Sequence, residues 1–110
     1  MNAAQAYQSR IAALFRLYGE GVTMNHTGHD RTLNAWFAPL GSVPVATYFD
    51  DNEALSLVRP VLSMYLDGTW AGDPPNEGES MTRDGRIFLV RRHVIHRLAG
   101  VPLLVLVILD

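Results

Sequence analysis

The chain has no cysteine, no lysine and little charge, and each shortage excludes something. Without cysteine there is no disulfide framework, no thiolate metal site and no cysteine nucleophile, a composition that fits an intracellular product. All nine basic residues are arginine, and against eleven acids they leave a net charge of −2. That balance is too small and of the wrong sign to draw the whole surface to nucleic acid or anionic lipid, so any DNA contact must be local. The longest apolar run, Val101 to Leu109, is about half of the roughly 20 residues a membrane helix needs, and Met1 to Arg10 lacks the pattern of a secretory leader. A soluble cytoplasmic product with no membrane contact is expected.

What is present is enough to fold. At 110 residues, 48% hydrophobic and 18% charged, the chain makes one domain, 1–110, with a core of its own. From Asn2 to Tyr18 the residues Tyr7, Ile11, Leu14, Phe15 and Tyr18 form the stripe of an amphipathic helix, rich in alanine and stopped by Gly19 and Gly21. The spacing predicts a helix over 3–18 with that stripe as its core face.

Extended segments follow. Val22 to His26 and Arg31 to Ala38 flank the turn composition Thr27-Gly28-His29-Asp30 and predict a hairpin. Leu40 to about Asn52 lacks periodicity and is expected to be a long loop, a feature that in small domains tends to be functional. Asp51 or Asn52 is placed to cap a short helical turn over Glu53 to Leu57, and Arg59 to Leu66 then reads as a strand. Asp67 to Glu79, with three glycines, two prolines and four acids, reads as a solvated connection. Asp84-Gly85 marks a tight turn between extended segments, with Ile87 to Ile95 a long strand. Leu103 to Leu109 is a strand without a polar face, which must be covered on both sides, within a closed barrel or by a neighbouring subunit. The order predicts an α+β fold: an N-terminal helix followed by a small, mostly antiparallel β-barrel or sandwich with a long loop after the second strand.

Few motifs carry chemistry. His26 with His29 and His93 with His96 form two His-x-x-His pairs that could in principle complete a metal shell. Side chains three apart in a strand face opposite ways, however, so surface or interfacial histidines are the plainer reading and no cofactor is expected. No serine lies in a nucleophile-elbow context, the carboxylate pairs Asp50-Asp51 and Glu77-x-Glu79 fall in solvated loops, and Gly19-Glu20-Gly21 ends a helix where a phosphate cradle would begin one. No enzymatic activity is expected. The charge pattern says more: five arginines and two histidines lie between Arg83 and Arg97 against the single acid Asp84, after the acidic stretch Asp67 to Glu79. Intramolecular compensation, complementarity between copies in a ring, and direct DNA binding all remain open.

Gly19-x-Gly21-Val22-Thr23-Met24 after the helix, and Pro75-x-x-Gly78-x-x-x-x-x-Asp84-Gly85-Arg86-x-Phe88-x-Val90, resemble the "G-x-x-V-T" opening and the "GD-x-I … DGR-x-Y-x-V" strand pair of the small head-tail connector proteins of long-tailed bacteriophages, known as stopper, head-closure or head-completion proteins. The resemblance covers most of the chain, and Glu79-Ser80-Met81 departs from it, since the family more often shows aspartate and then an apolar strand. The resemblance implies a non-enzymatic virion neck protein, assembled in the host cytoplasm as a six-fold or twelve-fold ring. Its partners would be a portal or adaptor protein above, a tail terminator or tail-tube protein below, and packaged double-stranded DNA in the channel. It further implies a channel loop within Leu40 to Asn52, represented by Gly41, Ser42, Tyr48, Phe49, Asp50, Asp51 and Asn52, whose two acids would repel DNA phosphate. Arg86, Arg91 and Arg92, with Leu103, Val105, Val107 and Leu109 of the last strand, are the expected contacts to a neighbour or partner. The alternatives are a tail terminator or other neck protein and, from another class, a small cellular ligand- or metal-binding barrel.

Overall fold

The computed structural model describes residues 2–39, 47–57 and 61–110. Helix α1 (Ala3–Tyr18) opens on Asn2, whose side chain accepts from the Gln5 backbone N–H while the Gln5 side chain returns the bond to the Asn2 N–H. Six strands follow: β1 (Glu20–His26), β2 (His29–Pro39), β3 (Leu62–Asp67), β4 (Ser80–Arg83), β5 (Arg86–Leu98) and β6 (Val101–Leu109), with a short helix α2 (Asp51–Ser56) between β2 and β3. They close into an antiparallel barrel in the order β1-β2-β3-β6-β5-β4. The expected α+β architecture is thus present, as a barrel rather than a sandwich. Closure leaves every strand paired on both sides over part of its length, which shortens the exposed edges that an open sheet would have.

Three of the five connections within the barrel are two-residue turns, Thr27-Gly28, Asp84-Gly85 and Ala99-Gly100, and in each both residues have positive φ. That is the backbone of a type I′ hairpin, whose twist matches that of the strands it joins. Thr27 at φ 52° is the costly one, because a β-branched side chain crowds the left-handed region. A second tight spot is Gly68, at the start of a 3-10 turn (Gly68–Gly72): a Cβ there would lie 1.9 Å from the Pro102 carbonyl oxygen, so only glycine lets the turn lie against β6.

The core has two layers. Alternate residues fill the barrel, including Val22 and Met24 of β1, Met64 and Leu66 of β3, and Val105, Val107 and Leu109 of β6. The opposite face of β6 offers Leu106 and Ile108 to Phe49, Leu57 and Val61, so that the segment around α2 lies on the outside of the barrel wall. This answers the requirement of an apolar strand within the chain itself. Five fully covered aliphatic side chains on one strand contribute roughly 10 kcal/mol of gross hydrophobic stabilisation at about 2 kcal/mol each.

Two expectations about elements are corrected. The stripe of α1 is not all core: Ala4, Ala12 and Phe15 are buried, whereas Tyr7, Leu14 and Tyr18 are exposed. The side of the helix that meets the barrel carries Ala4, Ala12 and Phe15, and Phe15 stacks on Trp36 with ring centroids 4.4 Å apart. The cap of α2 is Asp50 rather than Asp51 or Asn52, with a capping box closed by Glu53. Strand β3 begins at Leu62, and residues 59 and 60 of the expected strand lie outside the described residues. No helix among the described residues is long and apolar enough to cross a membrane.

Candidate functional sites

Three places gather the residues that sequence reasoning singled out or missed. The first is the segment after β2. Gly41 and Ser42 lie outside the described residues. From Thr47 onward the chain is not a free loop: Phe49 is buried, Tyr48 packs beside it, and Asp50 holds the first turn of α2, which Asp51 begins and in which Asn52 is exposed. Arg92 fastens this segment to β5. Its guanidinium donates to the Tyr48 carbonyl and to Glu53 Oε2 at 2.6 Å, and lies 4.7 Å from the centroid of the Phe49 ring. The expectation of an unsupported loop through Asn52 is corrected here, and the reason is the apolar outer face of β6, which these residues cover.

The second is the arginine-rich strand. Arg91 is the extra residue at a register shift between Val90 and Arg92, and its side chain reaches Asp110 at 2.7 Å. The backbone of Asp110 exchanges hydrogen bonds with Leu89 at 2.9 and 3.1 Å, so the strand pair is fixed beyond β6. Arg86 lies over the Phe88 ring at 4.9 Å. Arg83 grips Glu20 through two bonds of 2.8 and 3.1 Å and covers Phe37, and its hydrogen bonds hold the Glu20 carboxyl below the usual range. Charge compensation is therefore intramolecular at Arg83, Arg91 and Arg92, where the directly bonded acids are Glu20, Asp110 and Glu53, and from the stretch 67–79 Glu77 adds a charge near Arg91. Of the expected interface residues, Val105, Val107 and Leu109 point into the barrel and are fully buried, and Leu103 is half-buried. Their apolarity is explained by the core, a correction to their assignment as a face that a neighbour must bury.

The third was missed. His26 continues the inward row of Val22 and Met24 to the end of the barrel and is 0% exposed. Its Nδ1 lies 2.6 Å from Glu79 Oε1 and its Nε2 3.0 Å from Asp73 Oδ1. The second contact has the distance of an ion pair without the alignment of a hydrogen bond, and is a charge contact only. Glu79 also accepts from the backbone N–H of Asn76 at 2.6 Å and of Thr27 at 2.7 Å, and Trp70 meets the imidazole edge-on. Arg31 lies 3.9 Å from the other oxygen of Asp73. Burial, the largest single influence on His26, disfavours the imidazolium, but Glu79 and Asp73 together outweigh it and the ring titrates above its usual 6.5. Burial likewise pushes the Glu79 carboxyl up, and its N–H donors with His26 bring it below 4.5.

This cluster joins the connection before β4 to the β1–β2 hairpin, and beside it the Thr27 hydroxyl donates to the His26 carbonyl at 2.8 Å. The four histidines do not converge. His29 and His96 are exposed, and His93 Nδ1 lies 2.9 Å from the Pro75 carbonyl oxygen. Among the described residues no group of histidine and carboxylate side chains is arranged to hold a metal ion. Period-two alternation from Val22 was the signal that placed His26 inside, and the acidic departure at Glu79 supplied its partner.

Comparison of the chain with protein-family models, with curated proteins and with solved structures finds no match in any of the three.

Proposed function

We propose that this chain is a structural neck protein of a long-tailed bacteriophage, assembling as a ring between the portal or adaptor and the tail, closing the DNA-filled head and offering the tail its docking surface. The observation that carries the reading is the placement of the resembling motifs. Gly19 ends α1, Val22 and Thr23 lie in β1, and Asp84-Gly85-Arg86 turns β4 into β5 of a closed barrel behind an N-terminal helix. The sites favour a structural part over an enzyme: the ionic clusters tie segments together, and the groups within them are committed to one another.

In such a ring the stretch from Leu40 to Asn52 is assigned to the channel, anchored at its far end by Phe49 and the Asp50 cap. A net charge of −2 suits a channel part that must let a duplex pass without retaining it. Tail attachment would fall to the side chains outside the closed barrel and to the stretches of β2 and β5 that are paired on one side only.

The test is the particle population of a phage that lacks this gene, seen by electron microscopy. Filled or leaking heads separated from finished tails are the expected result. Normal tailed particles in normal numbers overturn the reading.

A further inference from the structure

The connection from β3 to β4 is fixed at its two ends and lightly held between them. At one end Gly68 lies against β6, so close that a Cβ would meet the Pro102 carbonyl oxygen at 1.9 Å. At the other the Gly78 N–H donates to the Val90 carbonyl and the Val90 N–H donates to the Glu79 carbonyl, both at 2.8 Å. Among the described residues no backbone group of 69–77 bonds to the backbone of a strand. This stretch is held instead by packing and by side chains. Trp70 and Ala71 rest on the barrel core, Pro75 is fully buried with its carbonyl oxygen 2.9 Å from His93 Nδ1, and Asp73 Oδ1 lies 3.0 Å from His26 Nε2. A segment with so few backbone bonds to its neighbours opens locally before the whole chain unfolds.

The contacts of His26 depend on one proton. The connection supplies Asp73 and Glu79, and β2 supplies Arg31, 3.9 Å from Asp73 Oδ2, and the exposed His29, which is opposite His26 in the hairpin register. Strand β4 has no titratable side chain before Arg83, and on β5 His93 is turned to the Pro75 carbonyl. With His26 as the imidazolium, the ring and Arg31 balance the two carboxylates. A neutral imidazole has a single N–H. The 2.6 Å hydrogen bond to Glu79 keeps that N–H on Nδ1, and Glu79 is itself held by the Asn76 and Thr27 N–H groups. The lone pair of Nε2 then faces Asp73 Oδ1 from a buried position with no donor for it. Asp73 is the partner that can leave, since its side chain is 58% exposed against 15% for Glu79.

We propose that residues 69–77 are a strap across the end of the barrel, latched by His26 through Asp73: closed while the imidazole carries both protons, and released at Asp73 with the barrel intact when it carries one. Release lets water donate to Nε2 and lets Asp73 turn with Arg31 into solvent, which removes the repulsion without breaking a strand. Gly68 at one end, and Gly78 with Glu79 at the other, stay in place as hinges, while Trp70 and Ala71 lift from the core between them. Trp70 meets the His26 ring edge-on with centroids 6.2 Å apart, so its surroundings report the release. The inference stands on this cluster and is independent of the neck reading.

The test uses the full chain with Trp36→Phe, which leaves Trp70 as the single tryptophan. An imidazolium quenches a neighbouring indole directly, so brightness does not separate protonation from release. The readout is therefore the access of acrylamide, a neutral quencher, to Trp70 across the titration of His26 followed by NMR, whose midpoint lies above 6.5. Acrylamide is expected to reach Trp70 several-fold more readily above that midpoint than below it, along a one-proton curve with the midpoint of His26 and with far-UV circular dichroism unchanged. Asp73→Asn in the same background is expected to keep access low on both sides, because an amide donates to the neutral Nε2 where a carboxylate repels it. The exposure of this side chain lets the exchange leave the fold intact. Access that stays constant through the His26 titration overturns the proposal, as does a rise that Asp73→Asn leaves unchanged, an Asp73→Asn chain open on both sides, or a loss of circular dichroism in step with the rise.

Discussion

The Nδ1 of His26 and the Oε1 of Glu79 stand 2.6 Å apart with the imidazole wholly removed from solvent, across 53 residues of sequence. A ring held this way, with a second carboxylate at its Nε2, binds its proton more tightly in the folded chain than in the unfolded one. His26 therefore contributes stability that is fully present below its unfolded value of about 6.5 and is lost as pH rises through its higher folded value. Glu79 acts at the other end of the scale: its stabilisation is present above about 4.5 and is lost as pH falls through its lower folded value. Urea midpoints measured across this range should decline on the alkaline side for the wild type, and His26→Gln should lack that decline. Equal alkaline slopes for the two proteins would contradict the buried imidazolium.

Arg92 joins α2 to the barrel through one carbonyl, one carboxylate and one ring. The ion pair with Glu53 is more than a third exposed at both ends and contributes less than about 1 kcal/mol, so most of the effect comes from the charged bond to the Tyr48 carbonyl. Arg92→Ala should destabilise the chain by about 2 kcal/mol, and Arg92→Lys should recover only part, because lysine cannot present a planar fork to two acceptors. Hydrogen exchange localises the loss: amides of residues 51–57 should gain rate well beyond those of β3 and β6.

Thr27 holds a left-handed conformation that threonine disfavours, in a turn whose second residue, Gly28, already suits it. Thr27→Asn keeps the backbone N–H that Glu79 accepts and relieves the crowding at Cβ. It should stabilise the chain by about 1 kcal/mol, read as a rise in the urea midpoint at unchanged slope. A fall in the midpoint would show that the bond from the Thr27 hydroxyl to the His26 carbonyl outweighs the strain.

Much of the fold is legible in the sequence because turn chemistry and alternation are local. Asp84-Gly85 and Thr27-Gly28 lie where the hairpins turn, and α1 runs over 3–18 as its periodicity predicts. The face of α1 was less legible, since a stripe of Tyr7, Leu14 and Tyr18 looks like a core face until tertiary packing selects the alanine-lined side instead. The apolar β6 could not say which cover it has; Phe49 and α2 provide it, a long-range pairing that no local pattern encodes. The same holds for the arginines, whose partners Glu20, Glu53 and Asp110 lie 63, 39 and 19 residues away. His26 was within reach: it shares the parity of Val22 and Met24, and only its polarity turned the reading towards the surface.

The most direct measurement adds the purified protein to filled heads and finished tails isolated from a phage that lacks this gene, and counts joined, DNA-retaining particles by electron microscopy. The expected result is recovery of tailed particles in proportion to the protein added, with a ring of density between head and tail. Heads that stay unjoined or lose their DNA at the same rate with and without the protein would contradict a role in head closure.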